Sequence, residues 1–284
     1  MWGGLLRMLV YILSFLTVGF LYPIEINARD LSILFIGNSY TYYPGIEKDP
    51  GLPKYVQQIA ESVDSDLHLK ISFHTPGGYS FERHFRDVES MKLMGEAYDR
   101  VVLQGQSIES LELTPWFKQQ GFPDVDSFSV YLPKVLDFVF QKNSHVTLFI
   151  NWGWNPRHSY LQDEHPGLRF PEGTPKAGQK WCGNNKFDYQ RKMDESYLEH
   201  LKGYPVHAAL VGRAWLELQL EGLVTQDELY VSGDWSHPSE LGSLVTALVL
   251  AKEVLGLDIA TNAFIPPSVD KQKAKAIALH LSKN

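Results

Sequence analysis

Leu31-Ser32-Ile33-Leu34-Phe35-Ile36-Gly37-Asn38-Ser39-Tyr40 is a short apolar run of strand character closed by a glycine, with a serine two residues further on. In an α/β fold a strand's carboxyl end opens into the active-site crevice. The stretch therefore puts Ser39 where a nucleophile would stand. Serine is a weak nucleophile at its free pKa. The reading needs a base, a group that orients the base, and donors for developing negative charge, all from elsewhere in the chain.

Working outward, strand-like and helix-like runs alternate, the mark of an α/β fold with a mainly parallel sheet. Strands are expected at 31–36, 67–74, 99–103, 146–150 and 206–211. The second shows the period-two alternation Leu67, Leu69, Ile71, Phe73. Apolar spacing predicts helices over 52–63, 81–94, 127–141, 187–201, 214–220, 238–255 and roughly 268–281. Thr75-Pro76-Gly77-Gly78 breaks the chain after the second strand, and Gln104-Gly105-Gln106-Ser107 closes the third. Residues 108–124 read as loop. Residues 151–186 are rich in glycine and proline and lack a clean period; such long loops are usually functional or mobile. Their aromatics are Trp152, Trp154, Tyr160, Phe170 and Trp181.

The 284 residues suffice for one large or two small domains, and no compositional break divides them. Apolar content of 44% and charged content of 21% are those of a globular chain with a sizeable core. A net charge of −7 argues against nucleic acid as the main partner. Arg7, then the apolar run from Met8 to Tyr22, has the form of a signal peptide, with Ile26-Asn27-Ala28 as a cleavage site. The run is short for a full membrane span. The expectation is export, secreted or periplasmic, with residues 1–28 removed, one domain over 29–284 and no stable membrane insertion afterwards. An uncleaved anchor is the rival reading. Cys182 is the one cysteine. It is either a reactive exported thiol or a buried inert one.

Asp234-Trp235-Ser236-His237-Pro238 offers a base and its partner within one turn. Pro238 suits the first position of the following helix, which puts His237 at the helix mouth. Asp234 lies close enough to accept the Nδ1 proton, leaving Nε2 to take the serine's. Alone, D-x-x-H before a helix is also capping chemistry, and G-x-S after a strand is also a plain turn. Their positions add information, since the serine follows the first strand and the Asp–His pair follows the last. Between them, again at strand ends, stand two candidate oxyanion donors. These are the backbone N–H of Gly78 and the side-chain amide of Gln106; the N–H of Ser39 makes a third.

In this order the segments resemble the blocks of the SGNH hydrolases, the GDSL-like esterase and lipase superfamily. Gly37-Asn38-Ser39 is similar to the G-D-S block, Gly77-Gly78-Tyr79-Ser80 to the second block, and Gln104-Gly105-Gln106 to G-x-N. Asp234-Trp235-Ser236-His237-Pro238 matches D-x-x-H-P. In the second block Gly78 fits the oxyanion role better, with Gly77 as the alternative. Asn38 stands in the aspartate's place, Gln104 in a glycine's and Gln106 in an asparagine's; G-N-S with Q-x-Q resembles a little-characterised branch. The resemblance spans residues 31–256. It implies a flavodoxin-like three-layer α/β/α sandwich around a five-stranded parallel sheet, and ester hydrolysis through an acyl-serine. Ser39 is then the nucleophile, His237 the base and Asp234 its orienting acid. Ser39, Gly78 and Gln106 form the oxyanion hole, and no metal or organic cofactor is required.

Trp152, Trp154, Asn38 and His84 are the candidate substrate contacts. Aromatic faces stack on sugar rings, so an O-acetylated glycan is the expected substrate. A lipid ester, or acyl transfer to an acceptor other than water, would use the same triad. A glycan-binding protein on an inactive hydrolase fold is the reading of another class, motivated by the glutamines. His158, Asp163, Glu164 and His165 lie close in sequence, but their spacing matches no ligand motif.

Overall fold

The computed structural model describes residues 29–45 and 51–283; the expected export segment, 1–28, lies outside them. β1 (Arg29–Ile36), β2 (Leu67–His74), β3 (Arg100–Leu103), β4 (Val146–Ile150) and β5 (His207–Leu210) form one sheet. All its pairs are parallel, in the order β2-β1-β3-β4-β5. The order reverses between β1 and β3, and open α/β sheets place their ligands outside the carboxyl ends at such a point. The register is level there, because Ile36 pairs with both His74 and Leu103. The pairing runs on past the strands: Gly37 N–H donates to the His74 carbonyl at 3.1 Å and Gln104 N–H to the Ile36 carbonyl at 2.8 Å. Three loops therefore leave the sheet side by side.

The helices are α1 (Ser39–Tyr42), α2 (Gly51–Val63), α3 (Phe81–Arg86), α4 (Val88–Met94), α5 (Pro115–Gln119), α6 (Val125–Val139), α7 (Lys186–His200), α8 (Val211–Leu220), α9 (Glu240–Leu255) and α10 (Lys271–Lys283). Alternate strand residues point to opposite faces, and β1 feeds two cores accordingly. Ile33 and Phe35 join α2, α8, α9 and α10 on one face, while Leu34 and Ile36 join α3, α4 and α6 on the other. These are the three layers. Every residue of α9 from Gly242 to Ala251 is buried, as befits a helix that is apolar on nearly all sides.

Three expected boundaries change. The helix expected over 81–94 is two helices, because the Asp87 carboxylate accepts the Ser90 N–H at 2.8 Å and starts a second one. The expected loop 108–124 contains α5, which opens on Pro115. The helix expected from Pro238 begins at Glu240, because the Ser239 hydroxyl caps the Gly242 N–H at 3.1 Å. Cys182 is a buried free thiol, and burial pushes its pKa up to about 11. Among the described residues no helix is long and apolar enough to cross a membrane.

Candidate active site

The loop after β1 is held from both sides. Asn38 is extended (φ −142°, ψ −151°) and caps α1, its Oδ1 accepting the Tyr40 N–H at 3.1 Å. Its Nδ2 donates to the Tyr79 carbonyl at 2.9 Å and the Gly105 carbonyl at 3.2 Å. A carboxylate could not donate either bond, which gives a physical reason for asparagine here. Gln104 Oε1 accepts the Asn38 N–H and the Thr41 hydroxyl, each at 2.9 Å. Asn38 thus joins the loops after β1, β2 and β3. It is buried, which corrects its expected role as a substrate contact.

His84 is corrected in the same way. It is buried, with Nε2 2.9 Å from the Gly37 carbonyl and Nδ1 2.9 Å from Ser90 Oγ. A carbonyl only accepts, so Nε2 carries the proton and Nδ1 accepts from Ser90. Burial, aided by nearby His74, holds its pKa down to about 3. The neutral ring is a strut under the loop that carries Ser39.

Ser39 is the first residue of α1, and its N–H is one that a helix start leaves without an intrahelical acceptor. Its Oγ lies 2.8 Å from His237 Nε2. On the other side of the ring, Nδ1 lies 2.6 Å from Asp234 Oδ2. The carboxylate can only accept, so Nδ1 donates and Nε2 is left to receive the serine proton. Asp234 Oδ1 also accepts the backbone N–H of Ser236 at 2.9 Å and of His237 at 3.0 Å, together with the Ser236 hydroxyl. Burial would raise this carboxyl, but the bonds from Ser236 and His237 outweigh it and hold the pKa at about 2. Trp235 sits between the two with φ +62°, a left-handed turn that closes the short Asp234–His237 segment. The His237 and Asp234 side chains keep 23% and 28% of their exposure, so the site opens to solvent.

Two tyrosines frame His237. The Tyr43 ring stacks on the His237 imidazole, centroids 4.5 Å apart, and the Tyr40 ring meets it edge-on at 5.4 Å. The buried Tyr40 hydroxyl accepts from Trp154 Nε1 at 2.8 Å. One tyrosine so ties the loop after β4 to the Asp–His turn, through its hydroxyl and its ring. Sequence reasoning missed it, since an aromatic beside a helix start reads as ordinary core.

Gly78 turns the chain between β2 and α3 with φ +69°, and both it and Gly77 are exposed. The Gln106 side chain belongs partly to its own loop. Its Oε1 accepts the Ile108 N–H at 2.9 Å and its Nε2 donates to Ser107 Oγ at 3.1 Å. Among the described residues Gln106 Nε2 has no second acceptor.

The expected aromatic platform is corrected. Trp152 is buried and sandwiched, with Tyr40 at 4.8 Å on one face and Trp215 at 4.0 Å on the other, both nearly parallel to it. Trp154 is buried against His158 at 4.2 Å. Neither ring offers a face to a sugar. The polar residues of that loop are engaged as well, His165 against Trp116 and Asp163 with Arg169 and Lys180.

Compared with solved structures, the chain superposes on a DUF4886 family protein from Bacteroides uniformis with a TM-score of 0.63, at 15% identity, over 90% of this chain and 94% of the other. A protein proposed to be an SGNH hydrolase from Slackia heliotrinireducens aligns with a TM-score of 0.52, at 20% identity, over 79% and 99%. The chain has the SGNH-hydrolase fold. A third SGNH-fold structure is a catalytic mutant of Axe2, an acetylxylan esterase from Geobacillus stearothermophilus, with a TM-score of 0.52 at 15% identity, over 79% and 94%. The Axe2 catalytic mutants replace a serine, a histidine or an aspartate by alanine. No protein-family profile and no curated protein matches the chain. In this SGNH fold, Ser39, Gly78 and Gln106 all follow the carboxyl ends of adjacent strands.

Proposed function

We propose that the protein is a serine esterase. The observation that carries this reading is the continuous hydrogen-bonded line from Ser39 Oγ through His237 to Asp234, at 2.8 and 2.6 Å. His237 Nε2 takes the Ser39 proton as Oγ bonds to the ester carbonyl carbon. The N–H groups of Ser39 and Gly78 and the amide of Gln106 receive the oxyanion. As the tetrahedral species collapses, His237 returns the proton to the leaving alcohol, and the acyl group stays on Ser39. Water then attacks the acyl-enzyme, giving its proton to His237, and Ser39 recovers its own as the acid departs. Asp234, held ionised, keeps the ring in the productive tautomer throughout.

An acetyl ester on a carbohydrate is the substrate class we favour, and export through residues 1–28 belongs to the same proposal. Support comes from the similar fold of Axe2, an acetylxylan esterase, and from the half-buried rings of Tyr43, Tyr79 and Trp235, which keep exposed surface for a sugar where Trp152 and Trp154 do not. The test is hydrolysis of p-nitrophenyl acetate and of acetylated xylooligosaccharides by the purified chain, with Ser39→Ala beside it. The parent turns over and the variant loses activity by on the order of 10⁴-fold or more. Equal rates would sink the serine mechanism. An inactive parent that still binds the oligosaccharide would make it a glycan-binding protein, and acyl products on an added sugar acceptor would make it a transferase.

A further inference from the structure

Glu109 is buried completely in the loop that follows β3, and the acyl-serine chemistry has no step for it. Its two carboxyl oxygens accept from two different loops. Oε1 takes the backbone N–H of Gln106 at 2.6 Å, and Oε2 takes that of Phe81 at 3.2 Å. Gln106 supplies the side-chain amide of the oxyanion hole. Phe81 opens α3 and ends the short segment that begins at Gly78, the backbone donor. One carboxyl therefore bridges the two flanking donors.

The surroundings are shaped for this group. Gly105 has no side chain because a Cβ there would lie 2.0 Å from Glu109 Oε1 and 3.0 Å from the Tyr197 hydroxyl. The Glu109 N–H turns back to the Gln106 carbonyl at 3.2 Å, and the Ile108 N–H to the Gln106 side chain, so residues 106–109 close on themselves. The pattern is that of a capping box, in which the fourth residue's carboxylate reaches back to the first residue's N–H. Here its second oxygen goes to Phe81. Only a carboxyl offers two acceptor atoms in that geometry; an amide would turn a donor toward one of the two N–H groups. Among the described residues no lysine or arginine pairs with it, and the charged neighbour that acts on it is Glu82. An unpaired buried acid is costly, which points to a role other than stability.

We propose that Glu109 is a positioning residue, a clamp that fixes the Gly78 and Gln106 loops relative to each other and so sets the width of the oxyanion hole. The clamp rests on the serine-esterase reading. It acts through Gln106 and Phe81 and does not touch the substrate.

The test is a double-mutant cycle on p-nitrophenyl acetate with Glu109→Gln, Gln106→Ala and both together. Glu109→Gln is expected to lower kcat by roughly 10–100-fold with KM little changed, the signature of an interaction made in the transition state. In the double variant the losses are less than additive, because both changes act through the Gln106 donor, while the share that runs through the Gly78 loop remains. A folded Glu109→Gln with parental kcat, or fully additive losses, overturns the clamp while leaving the Ser39 mechanism intact. If Glu109→Gln does not fold, or the parent proves inactive, amide NMR of the parent decides. The Gln106 and Phe81 N–H resonances should shift together with a single midpoint as Glu109 titrates. Independent shifts, or none, overturn it.

Discussion

At the scale of the residue, the site depends on groups whose protonation the fold has fixed. His84 shows this most directly. In the unfolded chain an ordinary histidine takes up a proton near pH 6.5, but in the folded state burial keeps His84 neutral down to about 3. The unfolded state binds the extra proton over that interval, so stability falls as pH drops from about 6.5 toward 3. Replacing His84 by Gln removes this contribution. Urea midpoints measured at pH 7 and pH 5 should fall less in the variant than in the parent, although the variant starts lower at pH 7 for want of the bond to Gly37. An identical drop in both would show that His84 ionises freely. Asp234 acts in the same sense, at lower pH. Its carboxyl, held at about 2, contributes stability above the usual carboxylate range and loses it only as pH falls through about 2.

At the scale of the element, Ser239 carries more than the start of a helix. Its hydroxyl accepts from the Gly242 N–H and donates to the Glu228 carbonyl at 2.5 Å, so it fixes α9 against the segment leading to the Asp–His turn. Ser239→Ala should cost about 1–2 kcal/mol in urea unfolding. Ser239→Thr should recover most of it, and a loss under about 0.3 kcal/mol would mean that the cap is replaceable. The same residue shows where sequence reading stops. All five strands were legible within a residue or two, because the central ones are apolar runs that face cores on both sides and the edge strand β2 alternates apolar and polar residues. The start of α9 and the break at Asp87 were not, since a side chain that hydrogen-bonds its neighbours' backbone overrides the apolar period. In the site, Ser39, Asp234 and His237 were legible because each lies in a short motif. Trp152 was misread because the rings that cover it, Tyr40 and Trp215, come from distant segments. Glu109 was missed because its second partner, Phe81, lies 28 residues earlier.

At the scale of the whole molecule, the aromatic loop after β4 is part of the core and not an appendage. Trp152 joins α1 to α8 through stacked rings, and its indole N–H donates to the Ser236 carbonyl at 3.0 Å, reaching the Asp–His turn. Trp152→Ala should therefore destabilise the protein by about 3–5 kcal/mol. The milder Trp152→Phe should keep the parental KM for an acetylated oligosaccharide, because the ring has no free face. A large rise in KM with unchanged unfolding would restore the sugar-platform reading.

The bond between Ser39 and His237 joins positions 198 residues apart. Contacts of such separation come late in folding, after the loops between them have closed. On the serine-esterase reading, a chain still being synthesised carries Ser39 long before it carries His237, and it is inert until that histidine has emerged and docked. Turnover is then a stopwatch for the final docking of α9: during refolding, the helical circular dichroism signal should return before the first hydrolysed ester or together with it, and never after.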